Sequence, residues 1–429
     1  MNTFLYRIAI SGYHLAIRVA AVVGVEQARR WVAGRANPAA FQLPSHLRPR
    51  PNNPLSSERQ LVWMHCASLG EFEQGRPVLE ALREARPDWK ILLTFFSPSG
   101  YERCKDEPLA DHVAYLPADG PARAQAWVNH IRPGLAIFVK YEFWFFHLRA
   151  LHRAGVPTFL VAASFRPNQW FFQRSGSWWR RMLTFFDNII VQTPGDKTLL
   201  TGPGKYPTDQ VVVAGDPRMD RTLQLAGVPF TDDIIAAFTA GDPITIIAGS
   251  VWPQDVERWL GAWPQLPANC RLILAPHQLH EKEIAGWREA FDAVRYTEAE
   301  ASTVGEHRVL ILDTIGILSK AYRYGRLAYV GGAFKTGLHN TLEPLAYSLP
   351  VLFGPLHHKF PEAGEAIRRG GAFSVPSDEE LRVTVTTLLD EESWRKASLA
   401  QRDFALANAG AGQRTAALIL DRLEKKWLK

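Results

Sequence analysis

From residue 61 onward the chain alternates short apolar runs with stretches of helical periodicity. Residues 61–67, 90–96, 113–116, 135–139, 158–163, 189–192 and 211–214 read as buried strands. Residues 72–85, 122–131 and 142–154 read as helices between them. Such alternation predicts βαβ units around a parallel sheet. A second series follows, with strands at 244–248, 272–275, 309–312, 327–330 and 351–353. Its helices fall at 254–263, 281–291, 316–324 and 341–347, and residues 378–429 read as helices with no further strand. Residues 216–242 are rich in Gly, Pro and Asp, which marks a domain boundary. The expected class is therefore α/β: one Rossmann-like domain over 41–225 and a second over 226–429. Two such sheets in tandem predict a cleft, with ligands beyond the carboxyl ends of strands.

The first forty residues follow another pattern. Residues 4–25 are apolar but interrupted, and no charge-free window approaches the ~18 residues of a membrane-spanning helix. Arg7, Ser11, His14 and Arg18 are spaced to share one helix stripe, with Leu5, Ile8, Leu15, Val19 and Val22 mostly off it. This predicts an amphipathic helix lying in a membrane interface, with a basic linker behind it up to residue 40. The competing reading is a helix packed on the protein's own core. A signal peptide is not expected, because Arg18 falls within the apolar region and no small-residue cleavage site follows.

Composition changes this picture in three places. A length of 429 residues is too great for one ordinary core, and 47% hydrophobic against 21% charged residues excludes a disordered chain. The net charge of +6 is concentrated in residues 1–50, which carry Arg7, Arg18, Arg29, Arg30, Arg35, Arg48 and Arg50 against Glu26 alone. A basic head on a neutral body suits an anionic membrane surface and argues against nucleic acid. Cys66, Cys104 and Cys270 are too scattered for a disulfide framework or a metal site, and Cys66 reads as a buried small hydrophobe.

The chemistry should lie where strands end. Glu71, after Ser68-Leu69-Gly70, stands at a helix start: it either complements the helix dipole or serves as a general base. Lys140 and Glu142 follow the strand at 135–139, as an exposed pair or as cleft residues. Arg218, in Gly215-Asp216-Pro217-Arg218, could clamp an anion or be an ordinary surface arginine. In the second half Ser250, Pro276-His277 and Ile315-Gly316-Ile317 follow strands. So does the glycine-bearing loop from Gly331-Gly332 to His339-Asn340-Thr341-Leu342-Glu343, whose helix start would suit phosphate and whose Glu343 could accept ribose hydroxyls. There is no GxxxxGK[ST] loop, no HExxH and no Asp-x-Asp pair, so a metal-independent transferase is the simpler reading.

Six segments, in order, resemble motifs of the Kdo (3-deoxy-D-manno-octulosonic acid) transferases. His65 to Glu71 resembles their H-x-x-S-V-G-E stretch, and Thr94 to Tyr101 their T-x-T-P-T-G segment. Gly215 to Asp220 is similar to G-N-L-K-F-D, and Asp313 to Gly316 to D-T-M-G-E. Gly331 to Pro344 and Val351 to Phe360 resemble the two glycine-bearing C-terminal motifs. The resemblance implies a GT-B fold, with an N-terminal acceptor domain and a C-terminal nucleotide-sugar domain. It implies transfer of Kdo from CMP-Kdo to a lipid A precursor (lipid IVA), at the cytoplasmic face of the bacterial inner membrane. No cofactor is implied, CMP-Kdo being the donor substrate.

By the same resemblance Glu71 matches the general base and Arg218 a lysine that stabilises the transition state. Ser250, Pro276, His277, Ile315, Gly316, Ile317, Gly332, His339, Asn340, Thr341, Leu342 and Glu343 fall in or beside the CMP-contacting segments. Lys140 stands where the family commonly has Glu, which passes the acidic role to Glu142 or gives Lys140 a different one. Two other functions fit the same architecture. A nucleotide-sugar 2-epimerase would need no basic amphipathic head. A non-catalytic lipid A-binding scaffold would bind CMP without transfer.

Overall fold

The computed structural model describes residues 2–36, 41, 43–44, 47, 61–335 and 337–427. Arg48 and Arg50 of the basic head, and linker residues 37–40, lie outside the described residues. The chain divides into two compact units, Met1–Arg221 with Gly410–Lys429, and Thr222–Ala409.

The first unit is built on strands β1 (Leu61–Cys66), β2 (Lys90–Phe95), β3 (His112–Tyr115), β4 (Leu135–Val139), β5 (Thr158–Ala163), β6 (Asn188–Val191) and β7 (Val211–Val213). They pair in parallel in the order β3-β2-β1-β4-β5-β6-β7. Strand residues alternate between two cores, as the period of two requires. Trp63, Leu92, Phe138 and Leu160 face one core, with Trp127, Phe145 and Leu148 from helices Pro121–Ile131 and Phe145–Arg153. Val62, Met64, Cys66, Ile137 and Val161 face the other, with Phe72, Val78 and Leu82 from helix Leu69–Ala85. Cys66 is buried there, as expected.

The second unit holds β8 (Ile244–Val251), β9 (Cys270–Pro276), β10 (Val294–Arg295), β11 (Val309–Ile311), β12 (Leu327–Val330), β13 (Val351–Phe353) and β14 (Ala372–Ser374). Their order is β10-β11-β9-β8-β12-β13-β14, again parallel. The edge strands β10 and β14 are too short to leave a periodic signal, and the sequence reading omits them.

The two units divide after Arg221, within the stretch 216–242, which also holds helices Arg218–Gly227 and Asp233–Phe238. Two further expectations need correction. Residues 142–154 do not form one helix: it begins at Phe145, and Lys140–Trp144 is a loop. The final helix, Ala411–Trp427, belongs to the first unit and not to the domain expected over 226–429. Its Ala416, Ile419 and Leu423 join the core behind helix Leu69–Ala85. Asp220 caps its start by accepting from the amides of Gly410 (2.5 Å) and Gly412 (2.6 Å). A Cβ on Gly412 would sit 2.8 Å from the backbone of Pro77, so the close approach requires glycine.

The N-terminal segment forms two helices, Thr3–Val23 and Glu26–Ala36, bent by 115° at Gly24. Among the described residues no single helix is long and apolar enough to cross a membrane. One face packs on the first unit. Tyr6 is buried against Phe145, Phe146 and Trp178 and donates to Asp119 Oδ2 at 2.7 Å. The Arg35 guanidinium lies 4.0 Å over Trp31 and 4.8 Å over Tyr115, and donates to the carbonyls of Phe96 (2.8 Å) and Leu116 (3.2 Å). The opposite face leaves Phe4, Leu5, Ile8, Leu15, Val19 and Val22 exposed, Val22 by 84%.

Candidate active site

The strand order of the first sheet reverses between β1 and β4, and a crevice opens at such a switch point. Glu71 arrives there from β1. It lies in the first turn of helix Leu69–Ala85, where N-cap Ser68 makes no side-chain cap. The Glu71 carboxylate instead reaches back and accepts from the amide of Ala67 at 2.5 Å. Lys140 and Glu142 arrive from β4. Lys140 takes a left-handed backbone, φ 64°, which turns the chain directly after the strand. A non-glycine residue pays about 1–2 kcal/mol for that conformation.

The turn carries Glu142 back over β1. Its Oε2 lies 3.0 Å from His65 Nε2 and accepts from Trp144 Nε1 at 2.5 Å. His65 is fully buried, and burial together with nearby His147 holds its proton affinity well below the ordinary value. The ring is therefore neutral. Its Nδ1 lies 2.9 Å from the Thr94 hydroxyl and 3.1 Å from the Thr94 carbonyl, and its Nε2 faces Glu142, so the ring bridges β2 and the Glu142 carboxyl. Burial raises the proton affinity of Glu142, against the Trp144 hydrogen bond. Burial also raises that of Glu71, with a further contribution from the Glu142 charge. The Ala67 amide and Lys140 act in the opposite direction. Two carboxyls thus share a desolvated site with one cation, and one of them carries a proton more readily than an ordinary carboxylic acid.

Arg218 does not stand at this switch point. It begins the helix after β7, three strands from β4, which is roughly 14 Å at the usual strand spacing. Its guanidinium grips Asp216 Oδ2 at 2.8 and 2.5 Å.

In the second unit the strand order reverses between β8 and β12, and the predicted donor residues gather at neighbouring strand ends. Ser250, φ 53°, lies in the irregular end of β8. Pro276 ends β9 and the His277 amide donates to Val251 O at 2.9 Å. The His277 ring stacks on both Trp252 (4.6 Å) and His339 (4.2 Å), and Trp252 Nε1 donates to His339 Nε2 at 2.9 Å. Burial and His277 lower the proton affinity of His339 to about 4, so it is neutral and accepts. Gly332, φ 94°, lets the loop after β12 turn back, and its amide donates to Asp255.

Asn340 donates to Glu343 Oε1 at 3.0 Å and accepts from the Leu342 amide at 3.1 Å. The helix here is shorter than expected, Leu342–Ala346, and its first amide is already capped by Asn340. Thr341 and Leu342 are buried. Burial raises the proton affinity of Glu343. Gly316, φ 93°, turns the loop after β11, leaving neighbouring Ile315 86% exposed beside half-buried Ile317.

Known proteins decide the family. Residues 41–221 match the model of the 3-deoxy-D-manno-octulosonic-acid transferase (Kdo transferase) family. The 3-deoxy-D-manno-octulosonic acid transferase of Aquifex aeolicus is 29% identical over 350 residues, 79% of this chain and 89% of its own. That of Bordetella pertussis is 29% identical over 390 residues, 86% of this chain and 87% of its own. Residues 41–221 thus form a domain of the Kdo transferase family, and the similarity to its members extends over 79% to 86% of the chain. It is accordingly a glycosyltransferase. Among solved structures, the UDP-GlcNAc 2-epimerase from Neisseria meningitidis bound to UDP-GlcNAc superposes with a TM-score of 0.61 at 14% identity, over 85% of this chain and 100% of that one. At that identity the likeness is one of fold, the GT-B pairing of Rossmann-like units expected from the sequence.

For a Kdo transferase, the groups that sequence reasoning left out are the ones that hold its candidates in place. His65, Thr94 and Trp144 orient Glu142. Trp252 orders the His277–His339 pair. Asp255 is fully buried and accepts from the amides of Trp252 (2.8 Å) and Gly332 (2.9 Å) and from the Tyr329 hydroxyl (2.7 Å). Asp255 stands three residues after N-cap Trp252, which is a capping-box signal; the others leave no trace in spacing.

Proposed function

We propose that the protein transfers Kdo from CMP-Kdo to a lipid A precursor such as lipid IVA, inverting the anomeric centre without a metal. The observation that supports this most is Glu71: a desolvated carboxylate at the β1/β4 switch point, with a raised proton affinity and a second carboxyl beside it. A general base works best when its pKa lies near the working pH. Ionised Glu71 takes the proton of an acceptor hydroxyl as that oxygen bonds to the anomeric carbon. The bond from that carbon to the CMP phosphate oxygen breaks, and its electron pair leaves with CMP. Lys140 favours the ionised form of Glu71, and Glu142 holds the second proton of the pair against His65.

Negative charge builds on the departing phosphate. Arg218 meets it by exchanging Asp216 for phosphate oxygens. Donor recognition falls to the second unit. Ser250, Pro276, His277, Ile315, Gly316 and Ile317 line it on one side. The loop from Gly332 to His339-Asn340-Thr341-Leu342-Glu343 lines the other, with Glu343 accepting from ribose hydroxyls. The lack of an Asp-x-Asp pair in the sequence supports the metal-independent route.

The exposed apolar face of helix Thr3–Val23 supports a seat on the cytoplasmic face of the bacterial inner membrane, beside the lipid acceptor. The decisive experiment incubates purified protein with CMP-Kdo and lipid IVA, wild type beside Glu71→Gln, and weighs the lipid by mass spectrometry. A gain of one or more Kdo units, lost in the variant, is expected. Normal turnover in Glu71→Gln would remove Glu71 as the base. No gain in wild type would point to the epimerase or scaffold function.

A further inference from the structure

The polar stripe of the N-terminal helix borders a pocket, with Arg7, Ser11 and Arg18 exposed at its rim and His14 buried. Arg7, Ser11, His14 and Arg18 line a pocket of about 380 Å³ on the first unit, closed on its other side by Gly120, Pro121 and Arg123. A second pocket of about 570 Å³ shares Arg18 and Arg123 and adds Trp127 and His130. Arg7, Arg18 and Arg123 are exposed, and no hydrogen bond or ion pair holds any of them among the described residues.

Two features turn a cluster of cations into a site. Helix Pro121–Ile131 starts in the pocket behind Gly120, which has no side chain to cap the amides of the first turn. His14 lines the same pocket, is 8% exposed, and its Nε2 has no hydrogen-bond partner. Burial lowers its proton affinity to about 4, so it offers a neutral ring nitrogen, and an unpaired buried nitrogen is costly unless something fills the space. Asp119 also lines the pocket, but its carboxylate is occupied by Tyr6 Oη, His147 Nδ1 and the amides of Phe146 and His147.

We propose that this pocket binds a phosphomonoester, with Arg18 and Arg123 as the charged forks and His14 Nε2–H as the buried donor. Two guanidinium groups and a helix N-terminus favour a compact dianion over the single charge of a phosphodiester. The ligand comes either from the acceptor glycolipid or from a phospholipid headgroup. The first source rests on the lipid-acceptor reading given above, and the second does not.

The test uses the full chain and phosphatidylcholine vesicles carrying phosphatidic acid, a monoester, or phosphatidylglycerol, a diester, at matched surface charge. Wild type should partition about tenfold better onto phosphatidic acid. Arg18→Gln with Arg123→Gln, and separately His14→Phe, should bring that ratio to one. The two arginines are exposed, so their double variant keeps its thermal midpoint even if His14→Phe does not. A wild-type ratio of one, or a ratio unmoved in the double arginine variant, would overturn the site. The source follows from acceptor kinetics in the double variant. A rise in KM confined to a phosphorylated acceptor, and absent for the same acceptor after phosphatase treatment, assigns the pocket to the acceptor. An unchanged KM with a lost vesicle ratio assigns it to a phospholipid. Failure of Kdo transfer leaves the vesicle comparison intact, so the two readings fail separately.

Discussion

Glu142 Oε2 and His65 Nε2 meet at 3.0 Å across the neighbouring strands β4 and β1, where burial keeps the imidazole neutral and raises the proton affinity of the carboxyl. The proton affinity of Glu71 is therefore coupled to a second, buried acid whose state is set by its neighbours.

Glu71→Gln should lower turnover by about 10²–10⁴. The amide oxygen can still accept from Ala67, so the helix start survives. CMP affinity, measured by calorimetry, should be unchanged.

Transfer should be pH-dependent on the acid side. Burial and Glu142 raise Glu71 above the ordinary carboxylate range, so the ionised base accumulates only as pH climbs toward and past neutrality. The kcat/KM profile should rise with a midpoint well above about 4.3, the value of an exposed Glu. A profile already flat at pH 5 would contradict this.

The neighbours should move that profile in opposite directions. Lys140 favours ionised Glu71, and the Trp144 N–H favours ionised Glu142, whose charge opposes ionisation of Glu71. Lys140→Gln should shift the rising limb to higher pH, by on the order of one unit, so that activity falls more at pH 6.5 than at pH 9. Trp144→Phe should shift it to lower pH, because Glu142 then keeps its proton over a wider range.

The same shift carries a stability cost. A carboxyl whose proton affinity is higher folded than unfolded stabilises fully below its unfolded pKa, and that contribution is lost as pH rises through the folded one. Glu71→Gln should thus be more stable than wild type at pH 9, by on the order of 2 kcal/mol, with the gap closing at pH 5. Urea unfolding at the two pH values measures this.

Asp255 organises the loop after β12 and the start of helix Pro253–Ala262. Asp255→Ala leaves two amides and a hydroxyl unpaired and should cost about 3 kcal/mol. Asp255→Asn can accept both amides with Oδ1 and donate to Tyr329 with Nδ2. It should recover most of the stability and the KM for donor.

Membrane association should follow the exposed face of the first helix. Leu15→Asp with Val19→Asp should release the protein from vesicles without lowering its thermal midpoint, since both side chains point outward. Deleting residues 2–36 is a poorer test, because it also removes Tyr6, Trp31 and Arg35 from their packing.

The sequence by itself determined the two series of parallel strands. Strands buried on both faces are continuous apolar runs, and β4, β5, β12 and β13 have the predicted bounds. Glu71, Lys140, His277 and the Gly331–Glu343 loop were legible because the ends of such strands are where a parallel sheet presents side chains. Tertiary structure decided the rest. Which strand ends become neighbours depends on strand order, so the pairing of Glu71 with Glu142, and the distance of Arg218 from both, has no trace in spacing. The supports His65, Trp144 and Asp255 are single residues far apart in sequence, and only packing brings their polar atoms together. The N-terminal helix shows the division within one element. Periodicity separates its polar stripe from its apolar one, but only the fold sets the polar stripe beside Arg123 and Pro121, because Tyr6, Trp31 and Arg35 anchor the helices on the first unit.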